Sequence, residues 1–272
     1  MRRKLVAVTA FLCLFAAGAA YAAEPVTGGP NTYTGSYTAH GKGSAAKPVP
    51  VSMVEQLGMG STTSGNVGAP LVDIKSTVTG VKNYAQYFPK CTAGQINGSG
   101  ASSGKWNAVC PKGSLIASGT VQAALVSSSA NLAGPGSPCL LHLWGYNGGV
   151  GKVTFFFTTN PAQCDGLSTG AAAAWTGTSK QSGSKWINDV PEPADVSYNA
   201  GNLNGSLFGS LQSETLNWKK VTVKHGGKTY PYLASIGCKG SRSYSIKYTA
   251  TTSATVSAAS SSSGTVTGKS GC

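Results

Sequence analysis

The sequence contains few charged residues and, in particular, few acids. Aspartate and glutamate together number 8 among 272 residues, and charged residues of all kinds make up 11%. A typical soluble domain is about one quarter charged, so coiled coils, long solvated helices and acidic disordered tails are excluded. Glycine is abundant, with 37 residues, and each interior glycine costs a helix about 1 kcal/mol relative to alanine. A mostly helical fold is therefore excluded as well.

The sequence also lacks the motifs of common catalytic and metal centres. It has no H-E-x-x-H, P-loop or dinucleotide fingerprint and no C-x-x-C pair, so we expect neither a metal site nor a cofactor. Of the three histidines, only His142 lies in a strand-like apolar run. Asp189, Glu192 and Asp195 are interrupted by prolines, which fits a polar loop better than catalytic carboxylates or a Ca²⁺ site. We assign no catalytic residues and expect a non-enzymatic protein.

The N-terminus has the three-part pattern of a secretory signal peptide. Arg2, Arg3 and Lys4 precede an apolar run over residues 5–20, and Ala20-Tyr21-Ala22 fits the small-x-small cleavage rule. The run is shorter than the ~20 apolar residues that span a membrane. The pattern predicts a signal peptide over residues 1–22, a secreted protein (extracellular or periplasmic), and no transmembrane segment after cleavage.

Cleavage leaves a basic chain that is almost free of arginine. The basic residues fall from 21 to 18 and the net charge from +13 to +10, with Arg242 as the single arginine. Lysine is a flexible, strongly hydrated point charge, whereas arginine forms the rigid fork that reads phosphates and bases. A lysine surplus favours diffuse attraction to an anionic surface or simple solubility, and we expect no specific nucleic-acid recognition.

Six cysteines remain after cleavage, and an even number in an exported chain is typical of a disulfide framework. Six cysteines allow 15 pairings. We propose the sequential one: Cys91–Cys110, Cys139–Cys164 and Cys238–Cys272.

From about residue 70 onward, short β-branched and aromatic runs alternate with glycine and serine, which is typical of β-strands. The candidate strands are Leu71–Val78, Leu115–Leu125, Leu140–Tyr146, Lys152–Thr158, Leu216–Lys224, Thr229–Ile236 and Ser243–Thr251. Glycine pairs predict hairpin turns at 147–149 and 225–227, and a further hairpin is expected to end the chain. The fold class is all-β: a disulfide-stabilised sandwich, immunoglobulin-like or jelly-roll-like, as one unit or two subdomains.

Composition suggests four segments along the chain. After the signal peptide, residues 23–69 are rich in Gly, Pro, Ser and Thr, and we expect a flexible extended arm. Residues 70–194 form the predicted β-rich domain with four cysteines, and 195–272 a C-terminal β subdomain closed by Cys238 and Cys272. The stretch 160–213 has the weakest strand pattern, so it is expected to be a linker or a functional loop.

Binding at an extracellular surface is the function that these features favour. Trp175 and Trp186 have polar neighbours and are expected to be partly exposed, where flat rings stack on sugars or partners. Beside Trp218, the densest basic group comprises Lys219 and Lys220, with Lys224 and Lys228 nearby. These lysines fit either an anionic partner or protection of a strand edge against aggregation. The expected partner is an extracellular surface, a glycan or an anionic polymer. Two alternatives stay open: a pore-forming or membrane-disrupting toxin, suggested by the Ser/Thr-rich 249–267 segment, and a hydrolase with an unrecognised site.

Overall fold

The computed structural model describes residues 23–99, 106–126, 132, 134–164, 173–195, 197–198, 208–253 and 256–272. The predicted signal peptide lies outside these residues. The strands are β1 (Val26–Gly28), β2 (Asn31–Ala39), β3 (Ser44–Pro50), β4 (Met53–Ser61), β5 (Leu71–Thr79), β6 (Val81–Asn83), β7 (Leu115–Val126), β8 (Ser137–Gly149), β9 (Lys152–Cys164), β10 (Trp175–Ser182), β11 (Lys185–Pro191), β12 (Phe208–Trp218), β13 (Thr222–His225), β14 (Lys228–Pro231), β15 (Leu233–Gly237), β16 (Ser241–Thr251) and β17 (Ser261–Gly271). A 3₁₀ turn (Ala85–Tyr87) and two short helices, α1 (Ala93–Gly98) and α2 (Trp106–Val109), lie between β6 and β7.

Twelve strands form one antiparallel sheet in the order β1-β2-β4-β12-β7-β8-β9-β10-β11-β5-β16-β17. The sheet curls until its two edges meet, because β17 lies against β1 and β2. Side chains seal this seam. The Tyr248 hydroxyl donates to the Thr34 carbonyl at 2.6 Å, and the Asn31 amide donates to Ser262 Oγ at 3.1 Å. The all-β class is confirmed, and its form is a nearly closed, barrel-like sheet.

One end of this sheet is covered by the remaining strands, and we call it the capped end. A three-stranded sheet, β3-β15-β6, and the β13–β14 hairpin lie there. The chain leaves β5 for β6 through Gly80, whose φ of +69° favours glycine. A Cβ at Gly80 would also overlap the carbonyl oxygen of Gly237. In the hairpin, Gly226 and Gly227 both have positive φ, as the predicted turn at 225–227 requires.

The main hydrophobic core fills the interior of the curled sheet, and a second cluster lies on its outer surface. Phe155 and Phe157 belong to the main core, whereas Phe156 is covered from outside by Cys91 and Ile96 of the α1 region. The Phe triplet of β9 is thus buried on both faces, which explains its lack of apolar–polar alternation.

The three disulfides connect Cys91 to Cys110, Cys139 to Cys164, and Cys238 to Cys272. The proposed sequential pairing is confirmed. The second bridge joins directly paired positions of β8 and β9. Three disulfides fit an oxidising compartment, in agreement with the expected location outside the cytosol.

Two expectations about organisation require correction. Residues 23–69 do not form a separate arm: they contain β1 to β4, and Tyr33 and Tyr37 of β2 are fully buried. The break near residue 195 does not divide the sheet, because β12 is inserted between β4 and β7 and β16 pairs with β5. Long-range strand pairing thus incorporates segments that look separate in the sequence.

The middle stretch 160–213 also contains more strand than expected. β10 and β11 form a hairpin within it, and β11 continues the sheet to β5. Along β11, Trp186, Asn188 and Val190 point inward at every second position. Because the middle one of these three buried residues is an asparagine, a search for alternating apolar residues does not detect the strand.

Candidate binding surface

The three tryptophans proposed for binding lie in the core. Trp186 and Trp218 are 0% and 1% exposed, and Trp175 is 9% exposed. Trp186 Nε1 donates to Ser179 Oγ at 2.8 Å, and its ring meets Trp218 edge to face at 5.0 Å. The expectation of partly exposed rings is therefore wrong: polar neighbours occupy the outward positions of the strands, and the tryptophans occupy the inward ones. These rings pack the interior and present no face to a ligand.

The proposed lysines remain near the surface but do not form one group. Lys219 is half-buried at the end of β12, where its backbone N–H donates to the Ile116 carbonyl at 2.7 Å. Burial lowers the pKa of its ammonium group. Lys220 and Lys224 are exposed, and Lys224 pairs with Thr229 across the β13–β14 hairpin. Lys224 therefore faces away from the side that carries Tyr230, because adjacent positions of a strand alternate between faces.

A different surface brings aromatic and basic side chains together at the capped end. Tyr87 and Tyr230 stack with ring centroids 3.8 Å apart, and Tyr84 lies 6.0 Å from Tyr230. These three rings are half-buried, and each is partly accessible to solvent. His225 is exposed and lies 5.2 Å from the Tyr87 ring. Lys82 Nζ stands 5.0 Å from the centroid of Tyr84, a cation–π distance.

Lys228 completes this surface. It pairs with His225 across the hairpin, on the face that also carries Tyr230. None of the side chains that meet here is acidic. We call the surface the tyrosine–lysine patch, and it consists of Lys82, Tyr84, Tyr87, His225, Lys228 and Tyr230.

Buried hydrogen bonds hold the patch rigidly. The Asn147 amide is fully buried and donates at 3.1 Å to the carbonyl oxygens of Ala85, Phe88 and Pro89, which fixes the 3₁₀ turn that carries Tyr87. The backbone N–H of Tyr84 donates to the Tyr232 carbonyl at 2.9 Å. A hydrogen bond with Tyr87 raises the pKa of the Tyr230 hydroxyl. A ligand would meet rings that are already ordered, which lowers the entropic cost of binding.

His142 and the acidic positions singled out in the sequence do not converge. His142 is exposed on the outer face of β8. Asp189 forms an ion pair with Lys75, with 2.7 Å between Nζ and Oδ2, and Asp195 is exposed. Asp73, a residue that the sequence analysis did not single out, lies beside Asp189. Burial and repulsion from Asp189 raise the pKa of Asp73 to about 6.

The interior holds a small, mostly apolar cavity that the sequence did not predict. Its volume is about 20 Å³, room for about one water molecule. Its lining includes Glu55, Glu214, Trp175 and Asn188. Trp175 Nε1 and Asn188 Oδ1 are buried without a hydrogen-bond partner among the described residues. A sugar ring has no room in a cavity of this volume. The cavity is therefore not a hydrolase site for a carbohydrate.

The carboxyl groups along the interior are held toward their neutral forms. Burial raises the pKa of Glu214 well above its ordinary value, and repulsion from Glu55 and Glu192 adds to the effect. Burial, followed by repulsion from Asp73, raises the pKa of Glu192 to about 8. Burial also raises the pKa of Glu55, although hydrogen bonds from Tyr37, Trp218 and Ser76 oppose the shift.

Within the described parts of the chain, no three His, Cys, Asp or Glu side chains group closely enough to hold a metal ion. No helix among the described residues has the length and apolar character needed to cross a membrane. Comparison with protein-family models, curated proteins and solved structures gives no match. The candidate site is therefore identified from its geometry and its chemistry alone.

Proposed function

We propose that this chain is a secreted, non-enzymatic protein that binds an acidic polysaccharide at an extracellular surface through the tyrosine–lysine patch. The observation that carries the proposal is the Tyr84–Tyr87–Tyr230 ring cluster, partly open to solvent and flanked by Lys82 and Lys228. Flat aromatic rings stack on the apolar faces of sugar rings. Ammonium groups attract the carboxylates or sulfates of an acidic sugar over a range of about 8–10 Å at ordinary salt.

The charge of the whole molecule supports an anionic partner. Without Arg2, Arg3 and Lys4 of the predicted signal peptide, the formal net charge falls from +13 to +10. Asp189, one of the few surface acids, is paired with Lys75. A long-range positive potential raises the rate of encounter with a polyanion, and short-range stacking on the tyrosines gives selectivity for sugars. The three disulfides suit a protein that works outside the cell.

The test is binding of the oxidised protein to immobilised polygalacturonate, an acidic polysaccharide, with dextran as the neutral comparison. We expect retention on polygalacturonate that weakens as salt rises. The double variant Tyr87→Ala/Tyr230→Ala should weaken binding about tenfold or more, because stacked rings commonly contribute more than 1 kcal/mol each. The matched variant Tyr87→Phe/Tyr230→Phe keeps both rings and should bind within about threefold of wild type.

A second pair of variants isolates charge. Lys82→Ala/Lys228→Ala should weaken binding more than Lys47→Ala/Lys112→Ala, which removes the same charge from exposed lysines outside the patch. Equal loss in the two pairs would mean that net charge alone drives retention. Unchanged binding of the Tyr87→Ala/Tyr230→Ala variant would overturn the proposal.

A further inference from the structure

A groove of about 410 Å³ opens on the outer face of β5, β11, β16 and β17. It is larger than the interior cavity and lies within the size range of ligand sites. Seven of its nine lining residues are serine, threonine or lysine, whose hydroxyl and ammonium groups stand among the carbon atoms of their own side chains. We call it the hydroxyl groove, and its lining residues are Thr77, Thr79, Lys185, Ser243, Tyr244, Ser245, Thr267, Gly268 and Lys269.

The strand register arranges these side chains in two rows. Lys185 pairs with Thr79, and Ser243 pairs with Lys269, so the first row begins and ends with a lysine. Thr79 Oγ1 accepts a hydrogen bond from the Ser243 N–H at 3.0 Å, which joins the two pairs. Three strand spacings of about 4.8 Å separate the two lysine backbones by about 14 Å.

The second row contains Thr77, Ser245 and Thr267, which lie side by side on neighbouring strands. The groove thus has two hydroxyl groups between its two exposed lysines and three more in the adjacent row, and its lining contains no carboxylate. Asp189 lies farther along the same sheet and is neutralised by Lys75. A lining of hydroxyl donors and acceptors with ammonium groups at its border matches a ligand that carries both hydroxyls and negative charge.

The groove and the tyrosine–lysine patch lie at the same end of the molecule. Thr79 is the last residue of β5, and the chain reaches Tyr84 after Gly80 and the short strand β6. Five residues of fully extended chain span at most about 18 Å, so Thr79 and Tyr84 cannot be farther apart than this. Lys82 lies between them in the chain. One extended ligand could therefore contact both surfaces.

We propose that the hydroxyl groove is a second subsite for the same acidic polysaccharide strand whose other part stacks on the tyrosine–lysine patch. This inference rests on the proposed function and makes it more specific: the ligand is a polymer long enough to cover both sites. Occupying two linked subsites raises affinity without new contacts at either one, because the second contact is intramolecular.

The lining favours a polysaccharide over a single-stranded nucleic acid. Nucleic-acid channels combine basic residues with exposed aromatic rings on which bases stack. The aromatic residue of the groove, Tyr244, is 4% exposed and donates through its hydroxyl to the Gly35 carbonyl at 3.3 Å. Its ring faces the interior, so the groove presents hydroxyls and ammonium groups and offers no stacking platform.

The experiment compares polygalacturonate fragments of two lengths, about three and about fifteen sugar units, since only the longer can reach both subsites. Affinities are measured by titration calorimetry for wild type, for Lys185→Ala/Lys269→Ala and for the charge-matched control Lys47→Ala/Lys112→Ala. We expect the groove variant to lose about tenfold in affinity for the long fragment and less than about twofold for the short one. The control variant should lose less than about threefold for either fragment.

The other possible outcomes show whether the groove, the tyrosine–lysine patch or the ligand class is wrong. If the groove variant binds the long fragment like the control variant, while Tyr87→Ala/Tyr230→Ala still weakens binding about tenfold or more, the groove is no subsite and the proposed function stands. If the groove variant loses affinity but the tyrosine variant does not, the patch is wrong as the primary site. If an equally long single-stranded DNA competes as well as the polysaccharide, the ligand class is wrong.

Discussion

Trp218 Nε1 donates a hydrogen bond to Oε2 of Glu55 at 3.0 Å, deep inside the curled sheet. The other carboxyl oxygen, Oε1, accepts from the Tyr37 hydroxyl and from Ser76 Oγ, the latter at 3.3 Å. A carboxyl group 3% exposed is therefore surrounded by donors from β2, β5 and β12. It links strands that are distant in the sequence, and its removal should affect the whole interior.

Glu55→Gln should lower the free energy of unfolding by about 1–3 kcal/mol. The substitution replaces one accepting oxygen with an NH₂ group, and this donor would face another donor. Chemical denaturation at neutral pH measures the loss. Glu24→Gln, at an exposed position, is the control and should change stability by less than about 0.5 kcal/mol. Equal stability of the two variants would contradict the hydrogen-bond arrangement around Glu55.

The raised pKa values of the interior carboxyl groups predict that stability falls as pH rises from acidic to mildly alkaline values. Burial raises the pKa of Glu192 to about 8, whereas an unfolded glutamate titrates near 4.3. Between these values the folded protein binds more protons than the unfolded chain, so stability falls as pH rises from about 4.5 to about 8. Thermal unfolding across this range should show Tm falling by several degrees, since about 1 kcal/mol corresponds to about 2–4 °C at this size.

Glu192→Gln tests the assignment of this pH dependence. The amide does not titrate, so the variant should show a shallower fall in Tm between about pH 5 and pH 8.5. Asp195→Asn removes an exposed carboxylate nearby in the chain and should leave the slope unchanged. If Tm of Glu192→Gln falls with pH as steeply as Tm of wild type, other titrating groups cause the pH dependence.

Arg242, the single arginine outside the predicted signal peptide, has a structural role. It is 1% exposed, and its guanidinium donates to the carbonyls of Ala39 and Gly41 at 2.8 and 2.6 Å and to Ser235 Oγ. Arg242→Lys should destabilise by about 2–4 kcal/mol, because an ammonium group cannot reach these separated acceptors together. Lys239→Arg, at an exposed site, should be neutral in the same unfolding assay.

The Cys238–Cys272 disulfide should contribute substantially to stability. It closes a loop with a sequence separation of 34, for which chain entropy gives about 3–4 kcal/mol. Cys238→Ser/Cys272→Ser should lower the unfolding free energy by about this amount. Wild type can also be treated with a reductant that opens only this bridge, as verified by mass spectrometry. An equal loss of unfolding free energy would confirm that the missing bridge is the cause. A loss below about 1 kcal/mol would show that the seam holds β17 without the bridge.

Trp186→Phe distinguishes a core residue from a binding residue. The variant loses the hydrogen bond to Ser179 and part of the packing against Trp218, so we expect a stability loss of about 1–3 kcal/mol. Binding to polygalacturonate, measured well below Tm, should stay within about twofold of wild type. A larger loss of binding would restore this tryptophan as a ligand contact.

Local signals in the sequence were sufficient for several features of the fold. The glycine pair at 226–227 marked the β13–β14 hairpin, and the cysteine order gave the correct bridges. The run Phe155–Phe157 indicated burial on both faces. The hairpin and the phenylalanine run depend on residues close together in the chain, where turn chemistry and alternation act directly. The bridges join cysteines 19 to 34 residues apart and were predicted from their order alone.

The tyrosine–lysine patch could not be predicted in the same way. Tyr87 and Tyr230 belong to separate parts of the chain, and their stacking follows from how the 3₁₀ turn and the β13–β14 hairpin meet at the capped end. The one local hint was the Tyr84/Tyr87 spacing beside Lys82. The tryptophans misled because polar neighbours were taken as a sign of exposure, although alternate residues of a strand face opposite sides.

The insertion of β12 between β4 and β7 has a consequence for folding kinetics. Leu57 and Glu214 are paired neighbours in the sheet although they are far apart in the chain. Pairings of such high contact order form late, and proteins dominated by them fold in milliseconds to seconds. Until β12 enters, β4 and β7 each present an unpaired edge, which is the feature that promotes association between partly folded chains. The pairing of β12 with β4 and β7 therefore removes two strand edges that promote association.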